Sequence, residues 1–498
     1  MVQGKTRESY KTLALGRGVI YRKQVKQPEF EDFYLPFGGK LRSDNRWVGL
    51  TKLVPWEEIE TQYAENFADS GMGAPAKAAR MALGALIIQT KLGLTDEETV
   101  AQIQENPYLQ YFLGYESYRD EKPFDSSMMV YFRKRLNLKE LSEINELIHG
   151  KYSKKSGGAK DKDKEDKGGS DGQSLKQGKL IVDASCAPAD IRYPTDLSLL
   201  GEAREKSERI IDRLHEPLRG KEKKVRTYRK KARRDYLRAA KRRKLSAKEL
   251  RKAIGKQLRY LNRDLKHIHS LAGRSSLGRL KRKDYRDLLV ISELYRQQNQ
   301  MYEKGTRRIE GRIVSISQPH VRPIVRGKAS APVEFGAKLS VSLVGGYAFV
   351  DRLSWENYNE AGDLIGQIET YKQRFGIYPE SVHADQIYRN RENRAYCKSH
   401  GIRLSGPRLG RPKKEIDREE SKLTRQDELD RNAIEGKFGQ GKRRFGLDCI
   451  RAKLPVTSGS MIALTFLVMN LEKLLSEVFL RFIKMWPFTI TSHILLCS

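Results

Sequence analysis

The feature that most constrains this chain is one strongly basic segment. Gly201 to Lys328 holds 40 Lys and Arg against 14 Asp and Glu. Its runs "KKVRTYRKKARRDYLRAAKRRKLSAKELRKAIGKQLRYLNRDLKHI" and "RDLLVISELYRQQNQMYEKG" keep apolar or aromatic residues at helical spacing, which predicts long helices. One reading is a solvated helical arm; the other is a surface that tracks phosphates. On either side lies strand pattern. "KLIVDAS" is a short Ile/Val-rich run that predicts a buried strand ending at Asp183, and "VEFGAKLSVSLVGGYAFVDRLSW" predicts a hairpin turning at "LVGGY". The basic helices therefore interrupt an α/β domain.

The rest of that domain follows in order: the helix "AGDLIGQIETYKQRFG" ended by Gly376, the strand "YPESVHAD", the helix "RNRENRAYCKSHG", the strand "IRLSGP" and a helix bearing Glu435. Ahead of it, residues 47–152 read as helical. Gly93 ends one helix, Thr95 caps the next with Glu98 three residues on, and Asp125 or Ser126 caps a third. Three short helices with one tight turn fit a helix-turn-helix DNA reader and fit a plain bundle equally. Residues 153–179, rich in Gly, Ser, Lys and Asp, predict a disordered linker. The expected organisation is an arm over 1–46, a helical domain over 47–152, the linker, an α/β domain from 180–200 and 329–486, and the basic insertion over 201–328.

With 498 residues and a formal net charge of +33, the chain is long enough for two or three domains and points to a polyanionic partner, nucleic acid before a membrane surface. The most apolar segment, Met461 to Trp486, is interrupted by Glu472, Lys473, Glu477 and Arg481, which predicts a core helix and no membrane contact. The amino terminus lacks the apolar core of a signal peptide, so a cytoplasmic, nucleoid-associated protein is expected. Cys186, Cys397, Cys449 and Cys497 have neither zinc nor disulfide spacing and read as reduced and structural.

Three carboxylates carry the candidate chemistry. Asp183 and Asp385 terminate apolar strands, where an acid is exposed, hydrogen-bonded or bound to a cation. Glu435 is the lone acid in "RNAIEGKFGQGKRRFG", among five cations and four glycines. On a helix, Arg431, Glu435 and Lys442 share one face. Three glycines in that helix cost more than one Arg–Glu pair returns, which suggests close approach of a ligand. Carboxylates without intervening His or Cys suit Mg²⁺ or Mn²⁺, and two such ions about 3.5 to 4 Å apart support phosphoryl transfer. His383, two residues before Asp385, is expected on the same strand face, either as a helper that positions water or as a hydrogen-bonded packing residue. Tyr388, Arg389 and Arg391 suggest stacking and phosphate contact, with a solvated turn as the equal alternative.

These residues resemble the bacterial insertion-sequence DDE transposases, specifically the IS-five-like group. Arg431, three residues, Glu435, six residues and Lys442 match that group's signature, and "FGGKLRSDNRWVGL", "LIVDASCAPADIRYPTDLSLLGEARE" and "HADQIYRNRENRAYCKSHGIRLSGPRLGRPKK" are also family-like. The resemblance implies an RNase H-like catalytic domain whose catalytic and metal-binding acids are Asp183, Asp385 and Glu435. It implies that Arg431 and Lys442 contact double-stranded DNA near the cleaved end, within a basic set that also includes Arg389, Lys437, Arg443 and Arg444. Also implied are recognition of terminal inverted repeats by the helical region, a homodimer or larger synaptic complex, and a nick followed by attack of the released 3′-hydroxyl on target DNA. Related transposases carry a Tyr three residues before the Arg; here Glu428 stands there.

Overall fold

The computed structural model describes residues 35, 39–67, 75–157, 178–325, 333–406 and 418–485. Most of the expected arm over 1–46, and residues 158–177 of the expected linker, lie outside them.

The helical region contains α1 (Arg46–Leu53), α2 (Trp56–Ala64), α3 (Ala79–Leu92), α4 (Asp96–Glu105), α5 (Pro107–Phe112), α6 (Met128–Arg135) and α7 (Leu138–Gly157). Gly93 ends α3 at φ 70°, a left-handed conformation that costs glycine little. Thr95 accepts from the Glu98 amide while the Glu98 carboxylate accepts from the Thr95 amide, which is the expected capping box. Asp125 closes a turn onto Ser127 instead of capping, and α6 starts at Met128. α7 takes in residues 153–157, which were expected to open the linker.

The turn between α3 and α4 joins a helix buried in the core to one with an acidic exposed side. α3 is buried on nearly every side, and α4, the helix that would enter the groove, carries Asp96, Glu97, Glu98 and Glu105 with no Lys or Arg. That charge disfavours phosphate at α4 itself.

After β1 (Lys179–Pro188), the chain leaves the sheet for α8 (Asp196–His215), α9 (Arg229–Ala240), α10 (Ala247–Ala272) and α11 (Arg282–Lys304). It returns through β2 (Arg322–Val325), β3 (Val333–Val344) and β4 (Tyr347–Ser354), then α12 (Leu364–Phe375), β5 (Ser381–His383), α13 (Arg391–Ser399), β6 (Arg403–Leu404), α14 (Arg418–Arg444) and α15 (Pro455–Met485). β2 lies on the helical side of the boundary expected at 328, yet it pairs with β3 from Arg322 to Val325. The sheet runs β2-β3-β1-β5-β6, with β4 also on β3. Pairings among β1 to β4 are antiparallel, and β1 to β5 and β5 to β6 are parallel. The β3–β4 hairpin turns at Gly345 and Gly346, both at positive φ, as a tight two-residue turn requires. The architecture is an α/β domain with a mixed sheet and a helical insertion, preceded by an α-helical region.

One sheet face packs Leu180, Val182 and Val382 against α12 and α13. The other face packs Ile181, Ala187, Leu339 and Leu343 against α14, α15 and the amino-terminal helices in one continuous core. α15 is the centre of that core: Phe466, Leu467, Met469 and Leu471 are all buried. Each such side chain contributes about 1.5 to 3 kcal/mol relative to an exposed one. Among the described residues no helix is long and apolar enough to cross a membrane. Cys186 and Cys397 are buried thiols, whereas Cys449 is exposed, so core packing does not explain it.

Candidate active site

Asp183 lies in the middle of β1, not at its end as the apolar run suggested, because β3 pairs with β1 as far as Pro188. The parallel partner β5 pairs only with Lys179 to Ile181. From Asp183 to Ala187 no strand pairs with that edge of β1 among the described residues, and Ile450 closes it again at Pro188. Since Ile181 is opposite His383, the same register sets Asp183 beside Asp385, just past the carboxyl end of β5. Strand alternation puts Asp183 on the face of Ile181, which is covered by α14.

α14 is anchored by Ile434 and Phe438, both in the core, and Glu435 stands at the rim of that contact. Arg431 Nη1 lies 3.6 Å from Asp385 Oδ1 and 3.7 Å from Glu435 Oε1. Asp385 and Glu435 are exposed at 58% and 57%, so the cluster opens to solvent on one side. Asp183 is the half-buried member, and desolvation pushes its carboxyl up to about 6. Its bond from the Ala184 amide and the charge of Arg431 pull the other way, while Asp385 and Glu435 add to the rise. Three carboxylates thus share one guanidinium, and the excess negative charge suits a hard cation.

A second cluster lies one to two turns earlier on α14. His383, Asp427 and Asp430 offer ligand atoms within 4.8 Å of one another, a set capable of coordinating a metal ion. Both carboxylates are already paired: Arg403 donates to Asp427 at 2.7 and 2.8 Å, and Lys179 bonds Asp430 at 2.6 Å. His383 is fully buried, exchanges a hydrogen bond with Ser381, and sits 3.5 Å from Asp427 through Nδ1. Burial lowers its pKa against the pull of Asp427 and Asp430. These contacts tie α14 to β1, β5 and β6 and so set where Glu435 falls. Sequence reasoning passed over Asp427, Asp430, Arg403 and Lys179. The usable signal was the four-residue spacing of Asp427, Arg431 and Glu435 along one helical stripe.

The remaining basic residues scatter. Lys437 turns toward α15, where burial, and then the charge of Lys473, lower its pKa to about 8 against the pull of Glu477. Arg444 stacks on Phe445 at 5.5 Å and lies near Lys91 of the helical region. Arg443 folds back over Gly439, and Lys442 is half-buried on α14. Arg389 packs on Gly406 and lines an open cleft of about 390 Å³ with Arg394 and Lys398. Tyr388, expected as a stacking surface, is fully buried beneath Asp183, whose charge adds to the upward shift that burial imposes on the phenol. Glu428 is exposed on α14.

The glycines of α14 divide. A Cβ on Gly441 would meet Leu447 at 3.1 Å and Met469 at 3.5 Å, so helix packing accounts for it. A Cβ on Gly436, beside Glu435, would meet nothing within 4 Å.

An acid-bearing α/β domain behind a helical region is the arrangement that family comparison also picks out. Residues 382–472 match the model described as transposase DDE domain, and residues 36–135 match the one described as transposase domain (DUF772). Two separate segments of the chain are thus similar to transposase domain families, described by the DDE and DUF772 models. Asp385 and Glu435 lie inside the first matched segment and Asp183 lies before it. A Rhizobium meliloti protein named uncharacterized protein ORF8 in nfe locus is 30% identical over 152 residues, covering 30% of this chain and 66% of that protein, just under two thirds of its length. No solved structure matches.

Proposed function

We propose that the protein is a transposase of the IS-five-like group, with an RNase H-like catalytic domain, that cuts DNA at the terminal inverted repeats of a mobile element and joins the ends to target DNA. The observation that carries this reading is the meeting of Asp183, Asp385 and Glu435, from three separate elements, around the single guanidinium of Arg431.

The three carboxylates fit Mg²⁺ or Mn²⁺, in line with a pair of ions per site, because their oxygens are hard ligands and their charge is under-compensated. A divalent cation bound there supplies charge stabilisation to the scissile phosphate and activates a hydroxyl nucleophile. The protein's own contribution is placement. The register of β1 and β5 sets Asp183 beside Asp385, and the contacts of Asp427 and Asp430 bring Glu435 over them. Arg431 keeps Asp385 and Glu435 within reach of each other and offers its remaining donors to a phosphate. The open side, next to Gly436, is where the DNA backbone enters.

Supercoiled DNA carrying the element's ends, incubated with Mg²⁺ or Mn²⁺, tests the reading. Joined products are expected from the native chain, and DNA binding without joining from Glu435→Gln. Cleavage without joining would make the protein a metal-dependent nuclease, and binding alone would make it a non-catalytic DNA-binding protein. Joining by Glu435→Gln would remove Glu435 from the site.

A further inference from the structure

The insertion is an up-down-up-down four-helix bundle. Leu199, Leu200 and Ala203 at the start of α8 pack with Leu258 and Leu261 of α10, and Ile210, Ile211 and Leu214 at its end pack with Ile268 and Leu271, so α8 and α10 run the same way. α9 runs back between them: Arg229 at its start holds Asp212 near the end of α8, and Tyr236 near its end packs on Gly201. α11 also runs back, from Leu288 in the outer cluster to Tyr302 in the inner one. The bundle therefore has an outer end and a foot, and at the foot α8 leaves β1 and α11 returns to β2.

The α9–α10 hairpin projects past that foot. Gly255 and Arg251 meet Tyr302 at the last turn of α11, and the chain from Lys252 back to Lys241 continues beyond it. At 1.5 Å per residue, Lys248 stands about 15 Å sheetward of Leu258. Between Arg238 and Lys252 the sequence has eight Lys and Arg and one acid, Glu249. Glu249 is taken by Arg242 and by the Ser246 cap. Arg251 lies over the Tyr302 ring at 4.3 Å. The other six, Arg238, Lys241, Arg243, Lys244, Lys248 and Lys252, are exposed and form no ion pair among the described residues.

Six like charges on one short exposed hairpin concentrate positive potential at its tip, which attracts a polyanion. At the outer end Arg274 pairs with Glu222, and Lys224 and Arg229 pair with Asp212, while Lys221, Lys223, Lys281 and Lys283 are exposed there; what sets the foot apart is that it lies on the side of the sheet. We infer that the α9–α10 tip is a duplex-DNA docking surface that grips backbone phosphates at the foot of the bundle, on the side of the domain that carries the sheet. Its partner is a polyanion with regularly spaced phosphates, and its contribution is affinity without sequence reading. This rests on the DNA-joining function proposed above only for the purpose it serves; the binding itself does not.

The test compares two full-length variants made on a Glu435→Gln background, so that cleavage plays no part. One replaces Lys241, Arg243, Lys244 and Lys248 with Gln, and the other replaces the exposed outer-end residues Lys221, Lys223, Lys281 and Lys283 with Gln. Gln matches Lys and Arg in helix propensity, so the fold should hold, and circular dichroism checks it. Binding to a short duplex is followed by fluorescence anisotropy between about 50 and 200 mM salt. The foot variant should bind at least about tenfold more weakly, with a log–log salt slope shallower by about 3, while the outer variant stays within about 1 of the parent. An unchanged slope in the foot variant overturns the inference, as do equal losses in both variants. So does a foot variant that loses binding to anionic lipid vesicles but keeps binding to the duplex. If the slopes behave as expected but the native chain never cleaves DNA, the docking surface stands and the catalytic reading fails alone.

Discussion

At the scale of single residues, Asp183 has the most to say. Its carboxyl titrates near about 6 in the folded chain against an ordinary 3.8, because burial and two neighbouring acids disfavour the charged form. The neutral form is therefore favoured by folding. Its stabilising contribution is fully present below about pH 4 and is lost as pH rises through about 6. Asp183→Asn removes that titration. The metal-free variant should be more stable than the parent at pH 7.5 by about 2 to 3 kcal/mol, and the advantage should vanish below about pH 4 in thermal melts. Adding Mg²⁺ or Mn²⁺ should raise the parent's melting temperature and leave the variant's nearly unchanged. An advantage independent of pH would mean that Asp183 is not held in an acid-rich, half-dry site.

At the scale of elements, α14 decides whether a site exists. Asp427 and Asp430 are its fixed points, so Asp427→Asn, which weakens the charge-assisted pair with Arg403, should cost about 1 to 3 kcal/mol in urea unfolding and reduce DNA cleavage more than DNA binding. Equal losses in both would make the contact one of stability alone. The two glycine environments predict opposite outcomes. Gly441→Ala forces a methyl against Leu447 and Met469 in a filled core and should destabilise by about 1 kcal/mol. Gly436→Ala meets open space and should stabilise the helix by about 0.5 to 1 kcal/mol. Gly436→Leu should leave the fold intact but weaken end cleavage, as expected if DNA passes close to that backbone. Unimpaired cleavage by Gly436→Leu would leave its conservation of space without a ligand to explain it.

For the whole molecule, the helical region and the α/β domain are not independent. Asn470 of α15 accepts from the Ala348 amide of β4, and donates to the Ala348 carbonyl and to Asn145 of α7. One buried side chain thus joins three elements drawn from both regions, and Lys91 of α3 pairs with Glu472 on the same helix. Asn470→Leu should destabilise the chain by about 2 to 3 kcal/mol, since it strands buried backbone groups. Unfolding followed by tryptophan fluorescence in a Trp355→Phe, Trp486→Phe background, so that it samples Trp47 and Trp56 in the helical core, should coincide with unfolding followed by circular dichroism. Two separated transitions would make the amino-terminal helices a domain of their own.

By itself, the sequence determined what depends on neighbours along the chain. The capping box at Thr95, the left-handed stops at Gly93 and Gly376, the Gly345–Gly346 hairpin and the helical insertion all follow from hydrogen bonds and periodicity within a few residues. The spacing of Arg431, Glu435 and Lys442 was legible for the same reason, since a helix converts spacing directly into a shared face. Tertiary structure alone decided the rest. Asp183 meets Asp385 because β1 and β5 pair in one register across the whole insertion, and no local pattern encodes that pairing. Tyr388 is buried in the sheet core and Lys437 is half-buried beside α15, and the apolar helix α15 is the centre of a core shared with the amino-terminal helices. Burial is a property of what the folded chain brings alongside, so the charge of a residue was readable in advance and its company was not.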